Sequence, residues 1–256
     1  MLGHNRRMVS PPALVPPGRS RLVWLALALS LGAAVSLGIT RFAYALLLPP
    51  MREDLGWSYT LAGGMNTINA LGYLLGALAT PLLLRHQAPG RLLLVGSVLA
   101  TLFMGLCGFF LEAPPLLLQR LLAGVASALI FITGGLMAAR LGALDAPRSG
   151  LLLGLYYGGT GWGISLSALL VPTVLAAAPG PHAWTWAWWV LALACAAATA
   201  LLVWPVRVLG RMDAAAAAAA PAAVGASRTA AAASMAARVF RVRDFAPALA
   251  SYTMFG

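Results

Sequence analysis

The chain has 256 residues, of which 61% are hydrophobic and only 9% are charged, and its mean hydropathy is +0.86. This balance excludes an ordinary water-soluble globular domain and predicts an integral membrane protein. The formal net charge of +11 does not indicate nucleic-acid binding, because the arginines lie in short segments between apolar runs and form no basic stripe with interleaved aromatic residues.

The N-terminal residues 1–20 contain four prolines and several arginines before any apolar run, which predicts a basic tail. Six apolar runs follow, each long enough to cross about 30 Å of hydrocarbon as an α-helix at about 1.5 Å per residue. The predicted membrane helices are 22–48, 61–84, 92–111, 115–138, 150–171 and 184–204. The first is expected to break at Pro49 and Pro50 into a charged turn. The fold class predicted is therefore all-α and multi-pass.

The segment 205–244 is rich in alanine and arginine and includes seven consecutive alanines from Ala214. Its low complexity predicts a linker, parts of which alanine allows to be helical. Residues 245–256 are apolar but too few to cross a membrane. We interpret them as the start of a seventh helix, so the chain is expected to be the first half of a larger protein.

Arginine counts in the loops predict the orientation of the bundle. With the N-terminus in the cytoplasm, that side collects fourteen arginines and the outside only Arg52. The basic residues are all arginine and alanine is abundant, which is typical of a GC-rich bacterial gene. The predicted location is the bacterial inner membrane, with the N-terminus and the linker inside. Four tryptophans at the start of helix six then predict an aromatic belt at the outer interface; they are Trp184, Trp186, Trp188 and Trp189.

Arg41 and Arg120 lie inside apolar runs, at comparable depth in the outer half of the predicted bundle. A charge at the centre of a membrane helix costs roughly 2.5 to 3.5 kcal/mol, so a retained arginine usually faces protein, water or ligand. The two arginines can face a substrate cavity, and a purely structural role for each stays open as well. Arg41 can extend to the outer interface, and Arg120 can bind backbone carbonyls in helix packing.

Helix two carries Asn66, Asn69 and Tyr73 on one face, because they are spaced three and four residues apart. Such a stripe can contact a substrate or bond neighbouring helices, and the second role is favoured. The other candidate cavity residues are Tyr44, Tyr156 and Tyr157. Glycines expected to permit close helix packing are Gly72, Gly76, Gly124, Gly154, Gly158, Gly159 and Gly163.

Neither a metal site nor a cofactor is predicted. Cys107 and Cys195 lie in separate apolar runs, and the three histidines lie in three separate non-apolar segments. Every Asp and Glu lies in a predicted loop, so the spans hold no acid, histidine or nucleophile with a partner. An intramembrane enzyme is therefore not expected.

Local sequence resembles a known transporter family. The run from Gly38 to Ala77, in which an arginine followed by an aromatic pair precedes a leucine-proline exit, resembles the first two helices of bacterial YbfB/YjiJ-like permeases of the major facilitator superfamily. The segment from Arg120 to Gly124 is similar to the superfamily's RxxxG pattern. The fifth helix is similar to the superfamily's glycine-rich antiporter motif, but it lacks the glycine-proline pair of that motif. The loop LLLRHQAPGR departs from the superfamily by lacking an aspartate.

The resemblance implies the N-terminal half of such a transporter: six helices in a 3+3 inverted repeat, with helices one and four lining a central cavity. It also implies a missing C-terminal half as a partner, besides the bilayer and a small-molecule substrate. On this basis we expect a secondary transporter that moves a small solute by alternating access, with an anion as the favoured class because no acid neutralises Arg41 or Arg120. The alternative is a six-helix membrane scaffold or sensor without transport activity.

Overall fold

The computed structural model of the protein describes residues 18–178 and 180–219, and these residues form helices and no strand. The α-helices are α1 (Arg19–Ala33), α2 (Ala43–Leu55), α3 (Tyr59–Leu83), α4 (Pro89–Leu106), α5 (Ala113–Leu144), α6 (Ser149–Ala177) and α7 (Trp184–Ala219). A π-helical segment, Ala34–Ile39, joins α1 to α2 through a short turn, and a single 3₁₀ turn, Ala146–Arg148, precedes α6. The predicted N-terminal tail up to residue 17 and the residues from 220 onward, including the expected seventh helix, lie outside the described residues.

Five helical runs among the described residues are long and apolar enough to cross a membrane, which confirms the multi-pass, all-helical class. They are Arg19–Leu55, Pro89–Leu106, Ala113–Leu144, Ala146–Ala177 and Trp184–Ala218. The remaining helix, α3, has 25 residues and is long enough at about 1.5 Å per residue. Its amides, Asn66 and Asn69, and its threonines make it less apolar. Six crossings in a 3+3 repeat therefore stay a prediction.

The predicted position of the break in the first helix was wrong. The helix continues through Pro49 and Pro50 and ends at Leu55, where Gly56 follows with a left-handed φ of 63°. The interruption lies earlier, at Ala34–Ile39 and the turn that follows. Proline is tolerated inside membrane helices where neighbouring groups satisfy the carbonyls that it leaves without a partner.

Other helix ends also differ from the prediction. The third helix ends at Leu106 rather than 111, the fourth continues to Leu144 and the fifth to Ala177, past Pro172. The sixth runs through Pro205 to Ala219, so the first part of the predicted linker is helical. Alanine has the highest helix propensity, which explains the extension across the polyalanine run. The described residues up to Arg211 form one compact unit, and the described residues of a second unit are 212–219.

Helix α5 lies at the centre of the bundle and packs against α1, α3, α4 and α6. Its buried positions are mostly small residues, which let helix backbones approach closely. Large apolar side chains point outward instead, such as Leu78, Leu169 and Leu193, each at least 65% exposed. Small residues inside and leucines outside are the arrangement expected where lipid covers the surface.

Glycines permit two helix crossings in which backbone meets backbone. A Cβ added at Gly72 would overlap the Leu121 carbonyl, and one at Gly124 would overlap the Asn69 carbonyl, so α3 and α5 touch backbone to backbone. Gly76 extends this crossing. On α6, Gly159 and Gly163 meet the backbones of Ser30 and Ala34 in the same way. The predicted packing role is not seen for the other pair, Gly154 and Gly158, because a Cβ there would meet nothing within 4 Å among the described residues.

One end of the bundle is held by a polar contact between the end of α2 and the start of α7. Asp54 Oδ2 accepts a hydrogen bond from Trp184 Nε1 at 2.5 Å and lies 2.5 Å from His182 Nδ1. His182 itself has a left-handed φ of 61°. This contact fixes the end of the interrupted first helix against α7.

Candidate functional site

The interruption of the first helix creates a polar contact with α5. In the π segment the Thr40 amide donates to the Val35 carbonyl five residues earlier, at 3.0 Å. Ser36 Oγ donates to the Ser127 carbonyl at 2.8 Å, and Ser127 Oγ donates back to the Ser36 carbonyl at 3.1 Å. Backbone groups released from a regular helix must find partners inside a membrane, and α5 supplies them here. Single π turns of this kind are frequent at functional sites.

Arg120, two turns before Ser127 on α5, makes a further hydrogen bond to the interrupted part of the first helix. Its Nη1 donates to the Thr40 carbonyl at 2.9 Å, while its side chain is only 2% exposed. The guanidinium carbon lies 4.7 Å from the ring centroid of Tyr44 and 6.0 Å from that of Trp188. Nε and Nη2 have no hydrogen-bond partner among the described residues. The guanidinium therefore keeps unused donors inside the bundle, which is costly unless something else accepts them.

A pocket of about 410 Å³ opens beside this contact and brings three of the predicted cavity residues together. Arg41 and Tyr44 line it from the turn and α2, and Asn66 lines it from α3. Tyr44 Oη donates to the Ala62 carbonyl at 2.9 Å, which ties α2 to α3 at the pocket wall. Since Tyr44 also lies against the guanidinium of Arg120, its ring links the pocket to that buried charge.

The two arginines lie at the same level of the bundle. Arg120 donates a hydrogen bond to the carbonyl of Thr40, the residue that precedes Arg41. The similar level that helix lengths predicted for the two arginines agrees with this contact, and their place in the outer half of the membrane stays a prediction. Arg41 is half-buried at the pocket, whereas Arg120 is buried behind Tyr44.

The remaining predicted cavity residues do not line this pocket. Asn69 Nδ2 donates to the Arg120 carbonyl at 2.8 Å, and Tyr156 Oη donates to the Phe131 carbonyl at 2.9 Å, so both join helices. Tyr157 is 46% exposed, with its ring 5.0 Å from that of Tyr156. Tyr73 is half-buried, and its backbone forms part of the close crossing at Gly124.

Several residues of the site were missed in the sequence. Ser36, Thr40 and Ser127 make the hydrogen bonds between the interrupted first helix and α5. Their spacing in the sequence could have indicated that they share helix faces. Ser36 and Thr40 are four residues apart, and Arg120 and Ser127 are seven apart, so each pair shares one helix face.

Trp188 was missed because it was assigned to an outer aromatic belt. Trp184 and Trp188 are each only 1% exposed, and Trp186 is the exposed member of the group at 56%. The belt interpretation was therefore wrong for Trp184 and Trp188. Several tryptophans at the start of a helix do not reveal in the sequence which of them will be buried against α2 and α5.

Among the described residues, no carboxylate forms an ion pair with Arg41 or Arg120. Glu53 and Asp54 lie at the end of α2, Glu112 and Asp145 flank α5, and Asp213 lies near the end of α7. No group of three or more metal-binding side chains occurs among the described residues. What this arrangement offers is positive charge and hydrogen-bond donors beside an open pocket, which suits an anion.

Comparison with known protein families gives a match over most of the chain. The family model described as "Uncharacterised MFS-type transporter YbfB" matches residues 33–241, well over half of the chain. The match includes the π segment, both arginines and every residue that lines the pocket. No curated protein matches the chain closely enough to count as a relative. The chain therefore belongs to the family of major facilitator superfamily (MFS) transporters represented by YbfB.

Proposed function

We propose that the protein is a secondary transporter that moves a small anionic solute across the inner membrane by alternating access. Family membership supports a transporter in general, and favours it over a membrane scaffold and over an enzyme. The solute, its charge and the cycle are our inference. In transporters built from repeats, substrate sites lie near the middle of the membrane where interrupted helices meet.

The observation that carries the choice of an anion is the pair of arginines. Arg41 lines the pocket, and Arg120 lies behind Tyr44 with two nitrogens that have no partner among the described residues. No described carboxylate pairs with either arginine. An anionic group in the pocket would gain charge-assisted hydrogen bonds from Arg41, which are roughly twice as strong as neutral ones.

The neighbours of Arg41 define what else the solute would contact. Asn66 can donate or accept a hydrogen bond, and Phe42, Leu48 and Ala62 give the pocket an apolar lining. Small carboxylates or phosphate esters with an apolar body fit this combination. We propose that Arg120 contributes mainly through its field, because Tyr44 lies between its guanidinium and the pocket.

The first test is ligand stabilisation of the protein made from its whole reading frame. Small carboxylates, sulfonates and phosphate esters are compared with neutral and cationic analogues, because any binder raises the melting temperature by mass action. We expect stabilisation by a subset of the anions only. An anion that stabilises the protein is then used in uptake assays with vesicles.

Substitution at Arg41 tests the pocket directly. Arg41→Gln should lower uptake of that anion by about tenfold or more, the loss expected when one charge-assisted bond is removed. Arg41→Lys should restore part of it, because the charge remains while the two-pronged geometry is lost. Arg85→Gln, at an exposed loop position, is the matched control and should not change uptake. Stabilisation by cations alone, or unchanged uptake in Arg41→Gln, would refute the proposal.

A further inference from the structure

An open groove of about 540 Å³ lies between the start of α1 and the later part of α7, away from the pocket. Arg21 lines it from α1, and Arg207 and Arg211 line it from α7. Arg207 and Arg211 are four residues apart and so share one side of their helix. Three cations from two helices therefore converge on one depression.

The described lining of the groove gives these three arginines no acidic partner. No carboxylate of the described residues forms an ion pair with them or lines the groove. All three side chains are exposed, so their donors are available to a ligand. Like charges held together by two packed helices repel one another, and an anion placed among them would relieve that repulsion.

The groove is apolar on its other side. Val203, Trp204 and Val208 of α7 complete the lining. Trp204 is 49% exposed, and Leu201, one turn earlier than the groove's centre, is 61% exposed on the surface that lipid would cover. Trp24, one turn into α1 from Arg21, is 65% exposed. The cations thus lie where the apolar spans of both helices end, and tryptophans mark that boundary as they do at membrane interfaces.

A ligand for this groove needs an anionic group and an apolar body side by side. A phospholipid has both, since its phosphate lies at the depth where the apolar span ends. Basic pockets between helices on the cytoplasmic side are a known way to bind acidic headgroups. A soluble phosphate would use the arginines but would leave the valine and tryptophan wall uncovered.

We propose that the groove formed by Arg21, Arg207 and Arg211 binds the phosphate of an anionic phospholipid, with an acyl chain along Val203 and Trp204. Bound lipid joins the first and last helices of the described bundle at one end, because α1 and α7 each contribute cations. This site is separate from the pocket at Arg41 and does not depend on what the protein transports.

The test is native mass spectrometry of the full-length protein in detergent, titrated with phosphatidylglycerol or phosphatidylcholine. We expect preferential binding of phosphatidylglycerol. The triple variant Arg21→Gln/Arg207→Gln/Arg211→Gln should weaken that binding by about tenfold or more, while leaving phosphatidylcholine binding unchanged. Its melting temperature should stay near that of the unmodified protein, since the three side chains are exposed. If the triple variant does not fold, each single variant should lose a few-fold in affinity.

A matched variant separates a built site from diffuse charge. Arg85→Gln/Arg91→Gln/Arg148→Gln removes the same charge from exposed positions outside the groove and should keep phosphatidylglycerol binding within twofold. Inorganic phosphate at millimolar concentration should not displace the lipid. Equal losses in the two triple variants, no loss in the groove variant, or displacement by inorganic phosphate would each overturn the proposal.

Discussion

At the scale of single residues, Arg120 is a buried side chain with two nitrogen atoms that lack a hydrogen-bond partner among the described residues. It donates from Nη1 to the Thr40 carbonyl, while Nε and Nη2 have no acceptor among the described residues. The Tyr44 ring offers a cation–π contact at 4.7 Å, which offsets part of the cost of burying the charge. A residue kept only for helix packing would be served better by an apolar side chain, because buried charges with few partners often stabilise less than hydrophobic replacements.

This imbalance predicts the behaviour of Arg120→Met. The variant loses one hydrogen bond and leaves the Thr40 carbonyl without a partner, which costs about 1 to 3 kcal/mol. It also removes a desolvated charge, which stabilises the folded protein by a similar free energy. We therefore expect the melting temperature to change by less than about 5 °C. Uptake of a stabilising anion should fall by about tenfold or more, because the positive field behind Tyr44 is gone.

Arg52→Met is the matched control for this substitution. Arg52 also lies over an aromatic ring, 4.1 Å from the centroid of Tyr59, but is part of the polar end of α2 rather than of the pocket. It should affect neither uptake nor melting temperature by much. If Arg120→Met unfolds at much lower temperature while uptake per folded molecule is unchanged, Arg120 serves packing alone.

At the scale of elements, the first helix shows what sequence patterns can and cannot predict. Its apolar length and the arginine within its apolar run were evident from the sequence. The interruption was predicted at Pro49 and Pro50 because proline lacks a donor, yet it lies at Ala34–Ile39. The π segment and the turn after it bond to Ser127 and Arg120, which lie 91 and 80 residues after their partners Ser36 and Thr40. A contact made only after folding leaves no local signal.

The glycine motifs show the same limit. Small residues at four-residue spacing predicted close packing equally well for Gly154 with Gly158 and for Gly159 with Gly163. Only the second pair meets another described helix, because one face of α6 turns toward α1 and the other away. Spacing identifies a face that permits close approach, but the neighbour that uses it is decided by the bundle as a whole.

Alanine substitutions should have opposite effects at a glycine inside a close crossing, Gly124, and at a glycine that faces no neighbour among the described residues, Gly158. Gly124→Ala should destabilise the bundle by about 1 to 3 kcal/mol, because the new Cβ would overlap the Asn69 carbonyl and lie 2.8 Å from the Tyr73 amide nitrogen. Separating α3 from α5 would also break the hydrogen bond from Asn69 to the Arg120 carbonyl. Thermal unfolding in detergent measures the loss.

Gly158→Ala is the control, at another glycine inside a long helix. Its Cβ would meet nothing within 4 Å among the described residues, and alanine favours helix by about 1 kcal/mol over glycine. Its melting temperature should be unchanged or higher. Equal destabilisation by both substitutions would mean that glycine is needed in these helices for a reason other than the crossing at Asn69.

At the scale of the whole molecule, the bundle is organised for lipid as its solvent. Small and polar side chains are buried along α5, and leucines cover the outside. Composition alone was enough to predict this class. The sixth crossing, by α3, stays a prediction, because the polar stripe on α3 that lines the pocket at Asn66 also lowers the hydropathy of that helix.

Cysteine labelling can determine both the orientation and the crossing of α3. Cys107 and Cys195 are buried, so the unmodified protein should not react with a membrane-impermeant maleimide. Exposed positions at the start of α3, in the loop after α3 and directly before α5 are then replaced one at a time, as Tyr59→Cys, His86→Cys and Glu112→Cys. The excess of arginine in alternate loops predicts that Tyr59→Cys and Glu112→Cys are labelled in intact spheroplasts. His86→Cys should react only after permeabilisation. If Tyr59→Cys and His86→Cys react alike, α3 does not cross, and if the pattern is reversed, the N-terminus lies outside.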